Sequence, residues 1–118
     1  MEVIESTNSN PSPKVKSRDL LISKLCVHYN MSINQSSPRM EKAWKLVKEE
    51  NVHLYDDNPL RARVEGRETY FTNLSKNTCT CLDKVHNLKP HELCKHLWAH
   101  RFTEDLRTGI LKVEEIKA

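Results

Sequence analysis

Three cysteines and a histidine fall into two tight pairs, Cys79-Thr80-Cys81 and Cys94-Lys95-His96, with twelve residues between them. Three thiolates and one imidazole form the ligand set of a closed tetrahedral zinc site. The expected centre is therefore a single structural Zn2+ held by Cys79, Cys81, Cys94 and His96. A catalytic zinc keeps one position open for water or substrate, whereas this set fills all four. Other catalytic sets are missing too. His91-Glu92 is not followed by the Pro-Cys-x-x-Cys of zinc deaminases, and Gly66 and Gly109, the two glycines, make no phosphate-cradling loop. The pattern points to a binding module and away from an enzyme.

Other histidines compete for the fourth position. His100 lies one helical turn beyond His96 and shares its face with Leu93, His96 and Leu97, which makes it the main rival ligand. His86 and His91 belong to the intervening loop, and His28 and His53 are remote in sequence. Cys26 has no partner at ligand spacing and sits in an apolar stripe, where a free thiol behaves as a small core hydrophobe.

The pair spacings constrain the elements that carry them. Alternate residues of a strand lie about 7 Å apart, while Zn–S bonds of about 2.3 Å need sulfurs less than about 4 Å apart, so the chain must bend at Thr80 near a strand end. Cys94 and His96 cannot both face one metal from regular helix, because i and i+2 point about 200° apart. Cys94 is thus expected at or before the first turn of a helix, with His96 projecting back toward the metal.

The elements follow from periodicity. Residues 1–17 hold Ser, Asn, Pro and Lys with few aliphatics, Val3, Ile4 and Val15, and read as a flexible tail. Leu21, Ile22, Leu25, Cys26 and Tyr29 predict a helix over 18–29. Residues 30–37 read as irregular, and Ser37-Pro38 offers an N-cap with proline at the first helical position. Met40, Ala43, Trp44 and Val47 then predict a helix to about Asn51 with Lys42, Lys45, Lys48 and Glu49 outward. Strands are expected at Val52-His53-Leu54-Tyr55, at Leu60 to Glu65 and at Thr69 to Leu74, followed by a short one around Thr78 to Leu82. A polar loop and a helix from Pro90 to about Arg107, stopped by Gly109, complete the chain. The expected fold class is α+β: two N-terminal helices, a small antiparallel β-meander and a C-terminal helix, joined by the zinc in a ββα-like finger. The expected divisions are a tail at 1–17, a helical part at 18–57, a zinc-binding region at 58–109 and a C-terminal extension at 110–118.

The C-x-C…C-x-H arrangement, with strands before it and a helix through its second pair, resembles the SWIM-type zinc finger. The similarity covers about Arg61 to Phe102, including the lead-in run from Arg63 to Phe71, and the helix ahead of it is also commonly placed. It implies a zinc-bound unit in which Cys79 and Cys81 are hairpin ligands and Cys94 and His96 helix ligands. SWIM-type fingers occur in chromatin-remodelling ATPases, transposases, ubiquitin ligases and recombination factors. No such catalytic domain accompanies the finger in these 118 residues, and stand-alone members, which act as adaptors or nucleic-acid binders, resemble the chain better.

Composition bounds the partners. With 37% apolar and 30% charged residues the core is small and suits a metal staple. No apolar run reaches about 18 residues and the N-terminus lacks signal-peptide features, so a membrane role is not expected and an intracellular location with reduced thiols is. The net charge of +3 is weak, but between Arg61 and Arg101 eight basic side chains face four acidic ones. That favours DNA or another nucleic acid as partner, with Arg61, Arg63, Lys84, Lys89, Lys95 and Arg101 as the expected contacts. The alternative is an adaptor that presents an apolar helix face to a protein partner.

Overall fold

The computed structural model of the chain describes residues 17–31 and 33–112. The expected tail up to residue 16 and the last six residues of the expected extension, 113–118, lie outside the described residues. Two compact units divide between Ser37 and Pro38, the second being Pro38–Lys112.

In the first unit, helix α1 spans Ser17–His28. Its buried Ile22, Leu25 and Cys26 follow the i, i+3, i+4 stripe that periodicity indicates. The helix closes on Asn30, whose φ of 57° lets the Met31 N–H reach Cys26 O at 2.8 Å, and asparagine tolerates that left-handed conformation.

Helix α2, Ile33–Lys48, starts earlier than Ser37-Pro38 implied and contains Pro38 in its interior. The expectation of an irregular 30–37 segment is corrected accordingly. Gln is a good helix former and Asn and Ser are weak ones but not breakers, and Pro38 lies only five residues into the helix, where it costs one backbone bond and crowds the Asn34 carbonyl. The division between the units falls at this proline. Beyond it, Met40 and Ala43 are fully buried and Trp44 and Val47 half-buried, as the apolar face requires. Glu50, at φ 59°, ends the helix with Asn51 N–H bonded to Leu46 O.

Four antiparallel strands follow in chain order: β1 (Val52–Tyr55), β2 (Asn58–Glu65), β3 (Thr69–Asn73) and β4 (Thr78–Cys79). Register pairs Val52 with Val64, Val64 with Tyr70 and Thr72 with Cys79. Alternation then sends Ala62, Val64, Tyr70, Thr72 and Cys79 to one face and His53, Arg61, Arg63 and Phe71 to the other, while the register shifts between Leu54 and Tyr55.

Helix α4, Lys95–Thr108, packs against the inner face of all four strands. Leu97, Trp98, Ala99 and Phe102 are buried there, and Phe102 meets Trp44 edge-on at 5.8 Å and Trp98 at 5.6 Å. Gly109, at φ 84°, terminates α4 as expected of a glycine stop.

Two further boundaries differ from expectation. Strand β4 ends at Cys79, and Leu82–Asn87 form a short helix, α3, where a strand end and polar loop were expected, which raises the helix count to four. Helix α4 begins at Lys95, with Pro90 and His91 in a turn ahead of it. Both shifts have one cause, since each helix is started by a cysteine cap and not by a residue of the usual capping types. Among the described residues no helix is long and apolar enough to cross a membrane.

Candidate metal centre

Strand β4 delivers Cys79 to the inner face, the chain bends at Thr80, and Cys81 becomes the N-cap of α3 with its Sγ accepting Lys84 N–H at 3.4 Å. Cys94 is the N-cap of α4, and its Sγ accepts Leu97 N–H at 3.5 Å. From the first turn of α4 the His96 ring turns back, so that Nδ1 lies 3.8 Å from Cys79 Sγ and 4.0 Å from Cys94 Sγ.

These four residues, and no other group of three or more among the described residues, bring metal-ligating atoms together, all within 4.8 Å of one another. A regular tetrahedral site with Zn–S of about 2.3 Å and Zn–N of about 2.05 Å puts sulfurs about 3.8 Å apart and S and N about 3.6 Å apart. The cluster is within a few tenths of an ångström of that for the measured pairs, so its residues could hold a metal ion. All four are buried.

Apolar and aromatic groups fix the donors. Tyr70, Leu74, Leu88 and Leu93 pack around the cysteines and Leu97, which keeps water from the sulfurs. Tyr70 stacks on His96 with centroids 4.0 Å apart, holding the imidazole plane. One open side remains, a groove of about 660 Å³ lined in part by Arg39, Lys42, Tyr70, Cys81, Lys95 and His96, and it offers an entry path to the donors.

Three buried thiols cannot all ionise without a cation. The Cys94 thiol is drawn down to about 4, mainly because the Cys79 S–H donates to its thiolate, with further bonds from His96 and the Leu97 amide. The same hydrogen bond holds the proton on Cys79 and pushes its thiol up, and burial pushes up Cys81. A metal ion bound by all three thiols would take them as thiolates and release the protons they hold.

His100 stands outside the cluster. Its Nε2 lies 2.9 Å from Pro59 O and its Nδ1 2.7 Å from Thr72 Oγ1. A carbonyl can only accept, so Nε2 carries the proton and Nδ1 accepts from the Thr72 hydroxyl. Burial lowers the His100 pKa, which agrees with a neutral ring pinning α4 to β2 and β3. Cys26 is a buried free thiol on α1.

The expected nucleic-acid contacts are scattered. Arg61 and Arg63 stand together, exposed on the outer sheet face. Lys95 and Arg101 belong to the helix on the opposite face, both half-buried, and Lys89 is exposed in the loop after α3. Lys84 is buried at 8% exposure, and its ammonium donates to the carbonyls of Lys89, Pro90 and Glu92, so it is committed to the fold and not to a phosphate.

Sequence reasoning missed three contributors. Tyr70 and Phe71 lie in a strand that was foreseen, but their opposite facing depends on the Val64↔Tyr70 register. Arg39 makes a two-pronged ion pair with Asp83 at 2.9 and 3.0 Å, tying α2 to α3, and no local signal links residues so far apart. No protein-family model, curated protein or solved structure matches the chain significantly.

Proposed function

We propose that this chain is a zinc-stapled binding module of SWIM type that takes nucleic acid as its partner. The observation that carries the reading is a division of labour in space. All four candidate donors are buried behind Tyr70 and leucines, while the opposite sheet face exposes Arg61 and Arg63 beside aromatic rings. A filled Cys3His set has no position for water or substrate, so the ion serves the fold and the surface serves the partner. Reduced, available thiols suit an intracellular setting.

Two measurements test this. Elemental analysis should find about one zinc per chain. Fluorescence anisotropy should show nucleic-acid binding at low salt that weakens steeply as salt rises toward about 200 mM. No binding to duplex or single strands at low salt would end the nucleic-acid reading.

A protein-adaptor role is the second reading, favoured by Leu82 and Val85, which are 72% and 60% exposed one turn apart on α3. An apolar interface of that kind persists at high salt, which separates the two.

A further inference from the structure

The outer sheet face carries more than charge. Pairing sets His53, Arg63 and Phe71 side by side across β1, β2 and β3, and beyond a register shift after Leu54 the strand end pairs Tyr55 with Asn58. Phe71 is 47% exposed at the centre of β3, Tyr55 is 36% exposed, and the Arg61 guanidinium lies 5.9 Å from the Tyr55 ring centroid. Arg63 therefore borders Phe71 at one strand spacing, about 4.8 Å, and Arg61 borders Tyr55, so an arginine stands beside each ring. Helix α4 packs on the other face, and among the described residues Arg61, Arg63 and Phe71 are exposed on this one.

We propose that this face is a stacking platform for single-stranded nucleic acid, in which Phe71 and Tyr55 each receive a base and Arg61 and Arg63 neutralise the phosphates between them. The proposal rests on the nucleic-acid reading and narrows it to one class of ligand and one surface. Every base has a π face, so aromatic side chains on an open sheet bind unpaired bases with little sequence preference. In a duplex those faces are already stacked, and a broad sheet face does not fit a groove that admits a helix or a two-stranded ribbon. A four-stranded sheet of this kind accommodates roughly two or three bases.

The position of the acidic group sets the path. Glu65 pairs with Arg63 at 3.2 Å and lies 3.7 Å from His53, at the hairpin end of β2. It repels phosphate there and partly neutralises Arg63. The strand is therefore expected to cross β1 to β3 from Tyr55 past Arg61 to Phe71, away from Glu65.

The test uses the zinc-loaded full chain with fluorescein-labelled oligo-dT and oligo-U of about 12 nucleotides, and a duplex of similar length. Single strands should bind more tightly than duplex. Phe71→Ala should weaken single-strand binding by about 5- to 100-fold with metal content and circular dichroism unchanged, and Phe71→Trp should restore it. Glu65→Gln should strengthen binding by up to about fivefold by releasing Arg63. The ratio of oligo-dT to oligo-U affinity distinguishes DNA from RNA as the ligand. Should Phe71→Ala perturb the fold, Tyr55→Ala and Glu65→Gln give the same reading from the rim. Preference for duplex, or single-strand binding indifferent to these variants, overturns the platform while leaving the nucleic-acid reading intact. Absence of binding to every oligonucleotide at low salt overturns both.

Discussion

Cys81 and Cys94 occupy equivalent positions in two different helices: each is the N-cap, and each Sγ accepts the backbone N–H three residues on, from Lys84 at 3.4 Å and from Leu97 at 3.5 Å. The partial positive charge of a helix start favours a thiolate at the cap, which agrees with the lowered Cys94, whereas at Cys81 burial outweighs it. Candidate metal ligation and helix initiation thus converge on the same two sulfur atoms, and an ion bound between them would join the starts of α3 and α4 to the end of β4.

Cap and ligand roles are separable by substitution at Cys94. Serine is a good N-cap but does not replace a thiolate on zinc. If the proposed zinc is held by this cluster, Cys94→Ser and Cys94→Ala should both fail to retain it by elemental analysis. In metal-free protein the serine variant should be more stable than the alanine variant by about 1 kcal/mol in urea unfolding, the usual worth of a cap. Equal stability of the two would mean that the N–H···S contact contributes nothing to α4.

Lys84 holds the loop that presents Cys94. Its buried ammonium gathers the carbonyls of Lys89, Pro90 and Glu92, while its own amide bonds Cys81 Sγ, so one residue spans both ligand pairs. Lys84→Met keeps most of the apolar stem but leaves those carbonyls without this donor, a loss of about 1–3 kcal/mol. The variant should bind zinc more weakly in a chelator competition. An unaltered affinity together with unaltered stability would show that the loop keeps its shape without the ammonium.

What could be read in the sequence was what is written locally. The two ligand pairs, the alternation of Ala62 and Val64 with Arg61 and Arg63, and the stop at Gly109 depend only on near neighbours, and each has its structural counterpart in the cluster, in β2 and at the end of α4. Helix α3 was hidden because six residues are too few for periodicity and its cap is a thiol. Pro38 misled because proline at the first helical position and proline inside a helix look alike when the preceding residues are polar. The roles of Lys84, Tyr70 and Phe71 depend on where a loop returns or on strand register, which composition does not encode.

His100 separates structural from ligating histidine and makes stability pH-dependent. Both ring nitrogens are engaged, Nε2–H to Pro59 O and Nδ1 to the Thr72 hydroxyl, and burial holds its pKa below the ordinary 6.5 despite Glu104, whose charge raises it, with Arg101 opposing. Between the folded and unfolded values the unfolded chain binds more protons, so stability rises with pH there. The contribution of the neutral ring is complete above about 6.5 and is lost as pH falls toward the lower folded value. His100→Gln should retain zinc, in contrast to His96→Ala, which should lose it. It should lower stability by about 1–3 kcal/mol at neutral pH through the disrupted bonds to Thr72 and Pro59. Acid would weaken metal binding by the thiol cluster in wild type and variant alike, so the informative quantity is their difference in urea midpoint between pH 7.5 and 5.5, a window chosen around the ordinary histidine value. That difference should shrink as pH falls. A constant difference would show that His100 does not change protonation on unfolding in this window, and zinc loss in His100→Gln would make it a ligand after all.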